Sequence, residues 1–350
     1  MPTSVGVSRE RIRPGEPLPR RLAAGDLLTN CKICEKVRLE AQNWADLTVR
    51  CKFVYGLVCR VVISVIIPTC DRPESLARCL EQLGSAGEII VSDDSRTAAT
   101  RRLISTRFPK VKWFEGPRRG PAANRNHGAR RAIGDWLAFV DDDCIPERTW
   151  LAGIARAIPA SDVVEGRTVC LGRTNHPLEE IVENLTGNLF WSCNLAIRRD
   201  LFEELGGFDE DFLEPGGEDL EFAWRIRKMK LIARYVPEAV VYHPARRLPI
   251  SKWVNRAFQS RWHLLYGLKT ARAGRLSQDW TGSATLGQLI YLLRATARTI
   301  LRRERTQFAQ RVFLLVLEWV LLPVLVPYLL YWEMSFRKRL SLGAGNGDFA

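Results

Sequence analysis

The stretch Trp136-Leu137-Ala138-Phe139-Val140-Asp141-Asp142-Asp143-Cys144 joins an apolar run directly to three consecutive acids. A short apolar run between polar residues is typical of a buried strand. Adjacent carboxylates at the end of such a strand repel one another and lose hydration, so folding alone gives no reason for them. A hard divalent cation would offset that cost, because Mg²⁺ takes oxygen ligands from carboxylates and phosphates. The competing interpretation is a solvated acidic turn.

Patterns typical of strands and helices alternate on both sides of this stretch. The strand-like runs are Arg60–Pro68, Glu88–Ser92, Val111–Phe114, 162–166 and 231–241, and the helix-like runs are Pro73–Leu83, Thr97–Phe108, Pro121–Ile133, Arg198–Leu205 and Gly217–Met229. Strands that alternate with helices predict an α/β fold, with a Rossmann-like, mostly parallel sheet that helices flank on its faces.

Two acidic segments follow predicted strands of this sheet, Asp93-Asp94 and Asp141 to Asp143. In open α/β sheets, ligands bind beyond the carboxyl ends of the strands. The sequence therefore predicts a site at that edge, although an acid such as Asp94 is equally typical of an Asx turn. The loop Pro68–Pro73 can offer backbone groups and a helix N-terminus to a polar or anionic ligand. Neither GxGxxG nor GxxxxGK[ST] occurs, which argues against a dinucleotide dehydrogenase and a P-loop NTPase.

Further candidate residues lie in the helices and the last strand. Arg125 is placed to pair with a phosphate, or to belong to a solvated basic face. Glu218 and Asp219 fall in the first turn of a helix, where the helix dipole favours acids and where one of them could also act as a general base. His243 follows a strand, as a metal ligand would, although a lone histidine is more often structural.

Composition sets the limits of these hypotheses. The chain has 350 residues and a formal net charge of +13, which favours anionic partners. Its nine cysteines form no compact disulfide pattern, which is typical of a reducing compartment. Residues 1–25 are basic and predicted to be disordered. The extension 26–60 has no fold assignment; its cysteines indicate either a zinc site or an incidental cluster, and they are Cys31, Cys34, Cys51 and Cys59.

The last hundred residues, 251–350, are predicted to be helical and basic. Within them the apolar segment 312–332 is about long enough to cross a bilayer, but it contains Glu318, Pro323 and Pro327 and is basic on both flanks. We expect this segment to associate with a membrane as a span, a re-entrant segment or an interfacial helix. A buried helix of a soluble core is the alternative.

The motifs in their order resemble the family-2 glycosyltransferases, which have a GT-A fold. The matching segments are VISVIIPTCDRP (62–73), EIIVSDDS (88–95), AANRNHGA (122–129), DWLAFVDDDCIP (135–146), GNLFWSCNLAIRRDLFEELGGFDEDF (187–212), GGEDLEFAWRIR (216–227) and VVYHP (240–244). Each is weak alone, but the ordered set is specific. It implies a GT-A domain over 61–250.

This resemblance implies a nucleotide-sugar donor, a bound Mg²⁺ or Mn²⁺, and inverting transfer to a hydroxyl of a saccharide or lipid-linked acceptor. Asp141 would lie near the ribose, Asp143 would ligate the metal, and His243 would approach the metal or the diphosphate. Which two of the three consecutive acids are ligands stays open, so Asp141 is also a candidate metal ligand. Asp219 would be the catalytic base, with Glu218 as the fallback.

The remaining donor-site candidates implied by the resemblance are Pro68, Thr69, Asp71, Asp94 and Arg125, and Asp94 among them would read the base. The expected role is cell-surface polysaccharide or glycolipid synthesis at the cytoplasmic face of the membrane, with no nucleic-acid partner. The alternatives are a nucleotidyltransferase, which would need a glycine-rich phosphate loop that PTCDRP lacks, and a non-enzymatic basic adaptor for a membrane or nucleic acid.

Overall fold

The computed structural model describes residues 48–52, 58–84, 87–174, 176, 178–272 and 308–343. The predicted disordered segment 1–25 and the pair Cys31 and Cys34 lie outside these residues. Cys51 and Cys59 are opposite each other in an antiparallel pairing of two strands. The second of these strands runs on into the sheet, so it begins before the predicted domain start at residue 61.

Eleven strands are described. They are β1 Thr48–Lys52, β2 Val58–Thr69, β3 Glu88–Asp93, β4 Lys112–Glu115, β5 Trp136–Phe139, β6 Ile145–Pro146, β7 Val163–Leu171, β8 Glu179–Glu180, β9 Leu195–Arg198, β10 Ala233–Pro244 and β11 Arg246–Arg247. The main sheet has the order β4-β3-β2-β5-β9-β7-β10-β6, with β1 paired to β2, and β8 pairs with β11 separately.

The first half of the sheet is parallel, because β4, β3, β2 and β5 all run the same way. In the second half β9 runs antiparallel to both β5 and β7, while β7 and β10 are parallel. Every residue of β3 and β5 is buried, as expected for strands with helices on both faces. The predicted Rossmann-like α/β fold is confirmed, with a sheet that is mixed beyond β5.

Nine α-helices are described alongside these strands. They are α1 Pro73–Leu83, α2 Ala99–Arg107, α3 Pro121–Ala129, α4 Trp150–Ala157, α5 Arg199–Glu204, α6 Glu218–Lys228, α7 Ile250–Gln259, α8 Arg261–Arg272 and α9 Phe308–Gly343. Proline at the first turn starts both α1 and α3, since proline there has no amide hydrogen to leave unpaired.

Three differences from the predicted elements have local causes. The helix predicted to reach Ile133 ends at Ala129, because the next amides bond three residues back, Arg131 to Gly128 and Ala132 to Ala129, and tighten the chain into a turn. Strand β9 has four residues, too few to show a repeating apolar pattern, so the sequence does not predict it. Helix α4 was also missed, although its apolar face is almost wholly buried.

The C-terminal helices form a separate apolar cluster beside the sheet. Trp262, Leu264, Leu265 and Leu268 of α8 pack with Phe212 and with Phe336 of α9. Helix α9 continues through Pro323 and Pro327. Among the described residues it alone is long and apolar enough to cross a membrane, over Val312–Ser341 with a mean hydropathy of 2.3.

Candidate active site

A cleft of about 1140 Å³ opens at the carboxyl ends of the parallel strands β2, β3 and β5. The predicted residues that line it are Pro68, Thr69, Asp94, Arg125, Asp141, Glu218, Asp219 and His243. Asp71 and Asp143 are not among the lining residues, and the structure gives a reason for each. Asp71 holds a loop together, and Asp143 lies beneath two arginines.

The loop after β2 is fixed by polar contacts. Asp71 has a positive φ of 53°, and its carboxylate accepts a hydrogen bond from the Arg96 backbone amide over 3.0 Å. Its own amide donates to Ser95 Oγ over 2.7 Å. Asp71 therefore ties the loops after β2 and β3 together, and its predicted contact with the donor stays a prediction.

Asp94 stands at the cleft side of the loop after β3. Its Oδ1 accepts a hydrogen bond from the Arg118 amide over 2.8 Å. Burial raises the pKa of Asp94, and that hydrogen bond only partly opposes the shift. Its neighbour Asp93 is buried and accepts from Trp113 Nε1 over 2.9 Å, so Asp93 serves the fold.

The middle acid of the opening stretch is a structural residue. Asp142 is fully buried and accepts a hydrogen bond from Thr69 Oγ1 over 2.7 Å. Its other oxygen lies 2.8 Å from the Arg72 guanidinium. Burial raises the pKa of Asp142 to about 6, against the effect of Arg72. Asp142 thus joins the acidic segment to the end of β2.

Asp141 is paired with a buried arginine. Arg125 lies 2.9 Å from Asp141 Oδ1 and 3.3 Å from Glu218 Oε1, and it is 5% exposed. Burial alone would raise the pKa of Asp141, but the Arg125 guanidinium holds it below its ordinary value. Arg125 therefore links the two acidic segments that the sequence singled out, and both of its terminal nitrogens are directed at carboxylates rather than at open cleft.

Asp143 lies under two cations. Its Oδ2 is 2.6 Å from Arg72 and is also in contact with Arg246. Burial and the nearby Arg72 lower the pKa of Arg246. The sequence analysis missed both arginines, although Arg72 lies within the quoted PTCDRP motif and Arg246 follows VVYHP closely. Both arginines line the cleft, whereas Asp143, which they contact, does not.

The other oxygen of Asp143 faces His243. Oδ1 and His243 Nε2 are 3.7 Å apart, and nothing among the described residues donates a hydrogen bond to Oδ1. His243 Nδ1 lies 3.0 Å from the Pro244 carbonyl oxygen, which can only accept, so Nδ1 carries the proton of the neutral ring. Nε2 then presents a lone pair to Asp143. Two buried acceptors face each other, and a cation between them would satisfy both.

Cys144 is the third member of this group. A carboxylate oxygen of Asp143, a nitrogen of His243 and the Cys144 sulfur all lie within 4.8 Å of one another. A hydrogen bond to Cys193 and burial both raise the pKa of the Cys144 thiol, so a hard cation finds its ligands in the oxygen and the nitrogen. These atoms fit a divalent cation. The predicted ligand Asp141 is not part of this group.

The acids at the start of α6 differ from each other in their contacts. Glu218 is buried, with one oxygen near Arg125 and the other accepting the Gly216 amide over 2.8 Å. Asp219 lines the cleft, and nothing in the described part of the chain bonds to its Oδ1. Burial, and then the charge of Glu218, raise the pKa of Asp219 to about 7. A carboxylate with that pKa and a free oxygen is suited to take a proton near neutral pH.

Basic and aromatic side chains complete the cleft wall, and the sequence analysis singled out none of them. They are Arg72, Arg96, Arg118, Arg246, Arg256, His263 and Trp191. The five arginines lie in three loops, in strand β11 and in helix α7 of a chain rich in arginine, so no local pattern marks them. Arginine binds phosphate oxygens through paired hydrogen bonds, so this wall suits an anionic ligand.

Two family models match adjacent parts of the chain. Residues 64–176 match the family described as "Glycosyl transferase family 2". Residues 174–244 match the one described as "N-terminal domain of galactosyltransferase". The two segments together take in every site residue predicted above, and they confirm the resemblance drawn from the motifs.

Curated relatives carry the same kind of name. The chain is 26% identical over 213 residues to the pre-mycofactocin glycosyltransferase of Mycobacterium tuberculosis, covering 55% of this chain and 45% of that protein. It is 25% identical over 219 residues to the glycosyltransferase AglE of Haloferax volcanii, covering 56% of this chain and 71% of that protein. The chain thus spans less than half the length of its mycobacterial relative.

A solved structure of similar shape is the mannosyltransferase PcManGT from Pyrobaculum calidifontis, in complex with GDP-Man and Mn²⁺. It covers 79% of this chain and 88% of its own, with 21% identity and a TM-score of 0.49.

Proposed function

Because the chain belongs to the family-2 glycosyltransferases, we propose that it moves a sugar from a nucleotide-sugar donor to a hydroxyl group, with inversion at the anomeric carbon. One observation carries the proposal. His243, which faces Asp143, lines the same cleft as Asp219, an acid with an unbonded oxygen and a pKa of about 7. A metal-binding pair and a poised base in one cleft are the requirements of such a transfer.

The divalent cation, Mg²⁺ or Mn²⁺, would be held by Asp143 and His243. Bound there, it would neutralise the charge that develops on the departing nucleoside diphosphate. The protein contributes charge of its own at this point. Arg72 and Arg246 contact Asp143 from the cleft side, and both are placed to turn from the carboxylate to phosphate oxygens of the donor.

The donor's nucleoside would lie over the ends of β2 and β3. In this proposal the nucleobase contacts Asp94, whose side chain is fixed by the Arg118 amide. Pro68 and Thr69 form the adjoining wall of the cleft. Asp141 would face the ribose, with Arg125 holding its carboxylate ionised. Arg125 would act through these carboxylates rather than through a phosphate.

The acceptor hydroxyl would give its proton to Asp219. Glu218 is the weaker candidate, because Arg125 and the Gly216 amide already occupy its oxygens. Removal of the proton as the new bond forms makes the hydroxyl oxygen a better nucleophile, and an acid with a pKa near the working pH does this best. A single displacement from the face opposite the leaving group gives inversion.

The acceptor that we propose is a saccharide or a lipid-linked saccharide, used in cell-surface polysaccharide or glycolipid synthesis. Its support is the exposed apolar helix α9, which packs on α8, and the basic charge of the chain, which together suit the cytoplasmic face of a membrane. In this proposal residues 61–250 form the catalytic domain, residues 251–350 form the membrane-associated region, and nucleic acid is no partner.

The test is release of nucleoside diphosphate from a panel of nucleotide sugars with Mn²⁺. We expect wild type to hydrolyse or transfer at least one sugar, and Asp143→Ala and Asp219→Asn to lose that activity. The control Asp200→Ala changes an exposed acid of α5 that forms an ion pair with Arg198 and does not line the cleft, and it should keep wild-type rates. Equal release by wild type and Asp143→Ala would contradict the metal assignment. No release from any donor would contradict the proposed function.

A further inference from the structure

Helix α9 has two apolar faces with different surroundings. On one face Leu329 and Phe336 are buried, and Trp332 and Leu340 pack on the cluster formed with α8. The Phe336 and Trp332 ring centroids are 5.1 Å apart, and the Phe336 and Trp262 centroids are 6.2 Å apart. This face of α9 therefore packs against the rest of the protein.

The other face carries a stripe of exposed apolar side chains. These residues are between 53% and 66% exposed, and they are Phe313, Val316, Val320, Val324, Tyr331 and Met334. Spacings of three, four and seven residues keep them on one side of a helix. The stripe runs for about 32 Å at the rise of an α-helix. So large a continuous apolar surface marks a site of interaction with a partner or a membrane.

Charged side chains also lie along the packed face of α9, and they distinguish a helix that crosses a membrane from one that lies on its surface. Arg261 of α8 lies 2.7 Å from Glu214, contacts the Tyr328 hydroxyl of α9 and stacks on Trp332. Glu333 pairs with Arg337 on α9 itself. If α9 crossed a bilayer, these groups would enter the hydrocarbon, where charges are costly. If α9 lies along the surface, they stay on the protein side.

We propose that α9 lies in the plane of an anionic membrane surface, with its exposed stripe in the lipid and its opposite face holding the loop 209–217 in position. The charge on its C-terminal end fits this partner, because Arg337, Lys338 and Arg339 are exposed there. Trp319 and Tyr331 add exposed aromatic rings, which favour the interface between lipid and water.

The loop 209–217 leads directly into Glu218 and Asp219, so its position sets theirs. Phe212 is fully buried against Trp262. Gly217 has a φ of +119°, and a Cβ there would lie 2.7 Å from the Phe212 ring and 3.0 Å from the Trp262 carbonyl oxygen. Glu214 is held by Arg261, which α9 in turn contacts. Phe336 and Arg261 are thus positioning residues for the base, and this part rests on the proposed function.

Membrane topology tests the orientation of α9. The full chain, tagged at both ends, is expressed in bacteria, and vesicles with their cytoplasmic face outward are treated with protease. We expect both tags to be digested without detergent, since an in-plane helix leaves both ends on one side. Protection of one tag until detergent is added would show a span and overturn the proposal. A protein that stays soluble and dimeric by light scattering, without binding vesicles, would assign the stripe to a second copy instead.

A matched pair of variants tests the exposed face and the packed face of α9 independently. V320S/V324S changes only the exposed stripe. Binding to phosphatidylglycerol vesicles should fall about tenfold or more, because two apolar side chains no longer enter the lipid, with donor hydrolysis unchanged. Phe336→Leu changes only the packed face. It should keep vesicle binding and the donor KM, and lower kcat by roughly 10- to 100-fold, because a displaced base misaligns the reacting groups.

The results of these experiments test the orientation and role of α9 separately from the proposed function. If Phe336→Leu lost both vesicle binding and kcat and had a lower thermal midpoint, Phe336 would have only a structural role. That result would contradict its role in positioning Asp219. Unchanged kcat in a well-folded Phe336→Leu would do the same. If wild type hydrolyses no donor, the proposed function fails, but the topology and vesicle-binding results still decide the orientation of α9.

Discussion

Asp143 Oδ1 and His243 Nε2 face each other at 3.7 Å with no hydrogen between them, because the His243 proton is on the Nδ1 side toward Pro244. They come from strands on the two halves of the sheet, one following β5 and the other within β10. The pair therefore joins the parallel half of the sheet to the mixed half. In the proposed function, this pair holds the divalent cation.

The first prediction concerns metal binding without turnover. His243→Ala should weaken Mn²⁺ binding by more than the roughly 10- to 100-fold typical of an outer-shell substitution, because it removes a direct ligand. Titration calorimetry or the Mn²⁺ electron spin signal measures this. His127→Ala serves as the control, since the ring of His127 bonds Ser92 and does not line the cleft. Equal weakening in both variants would contradict the assignment.

The second prediction concerns pH. The pKa of Asp219 is raised to about 7, so the acid must lose its proton before it can accept one from the acceptor. The rate should therefore rise with pH and level off above about pH 7. Asp219→Asn should lower kcat by roughly 10²- to 10⁴-fold and remove that acid limb. An acid limb that persists in Asp219→Asn would show that another group is the base.

The third prediction concerns the buried guanidinium group of Arg125. Arg125→Met leaves Asp141 and Glu218 without their shared partner, and breaking a buried pair costs about 3–5 kcal/mol of unfolding free energy. Denaturant unfolding measures the loss. The control Arg107→Met removes an ion pair with Glu81 in which both side chains are about half exposed, and it should change stability by less than about 1 kcal/mol. Similar losses in the two variants would contradict a special role for Arg125.

The fourth prediction concerns the loop that leads to Trp191, at the start of the segment 187–212. The buried Glu165 carboxylate accepts from Asn184 Nδ2 at 2.7 Å and from the Leu189 and Phe190 amides at 2.8 Å and 2.5 Å. Because Glu165→Gln points an amide at these donors, it should cost about 1.5–3 kcal/mol of unfolding free energy. Since the loop leads into Trp191 on the cleft wall, activity should fall as well.

A matched control for this fourth variant is Glu81→Gln, which changes an exposed acid in a surface pair. Its unfolding free energy should stay within about 0.5 kcal/mol of wild type. If Glu165→Gln proved equally mild, the hydrogen bonds to Glu165 would be replaceable by water, and the loop would not depend on them.

Strands β2, β3 and β5 of the parallel half could be predicted because each contains a run of consecutive apolar residues. Strand β2 and helix α1 were found almost to the residue, since prolines mark the end of one and the start of the other. The acids at the carboxyl ends of β3 and β5 follow from the same pattern. The family assignment, which depended on the order of these motifs, is confirmed by the matched segments.

The rest of the site depends on contacts between distant segments, which no local pattern records. Strand β9 is short, and only its position between β5 and β7 makes it a strand. Arg246 reaches Asp143 across 103 positions of sequence number, and Arg125 meets Glu218 across 93. The roles of Asp71 and Asp142 also differ from those of their neighbours only because of what the fold places beside them.

The bond from Thr69 to Asp142 has a consequence for the redesign of this protein. The loop after β2 is bonded to the middle of the acidic segment through Thr69 and Arg72. A graft of residues 69–72 from another protein would therefore shift the carboxylates on either side of Asp142. Thr69, Arg72 and Asp142 should be transplanted as one unit, and changes to donor choice are better begun at Asp94 and Arg118.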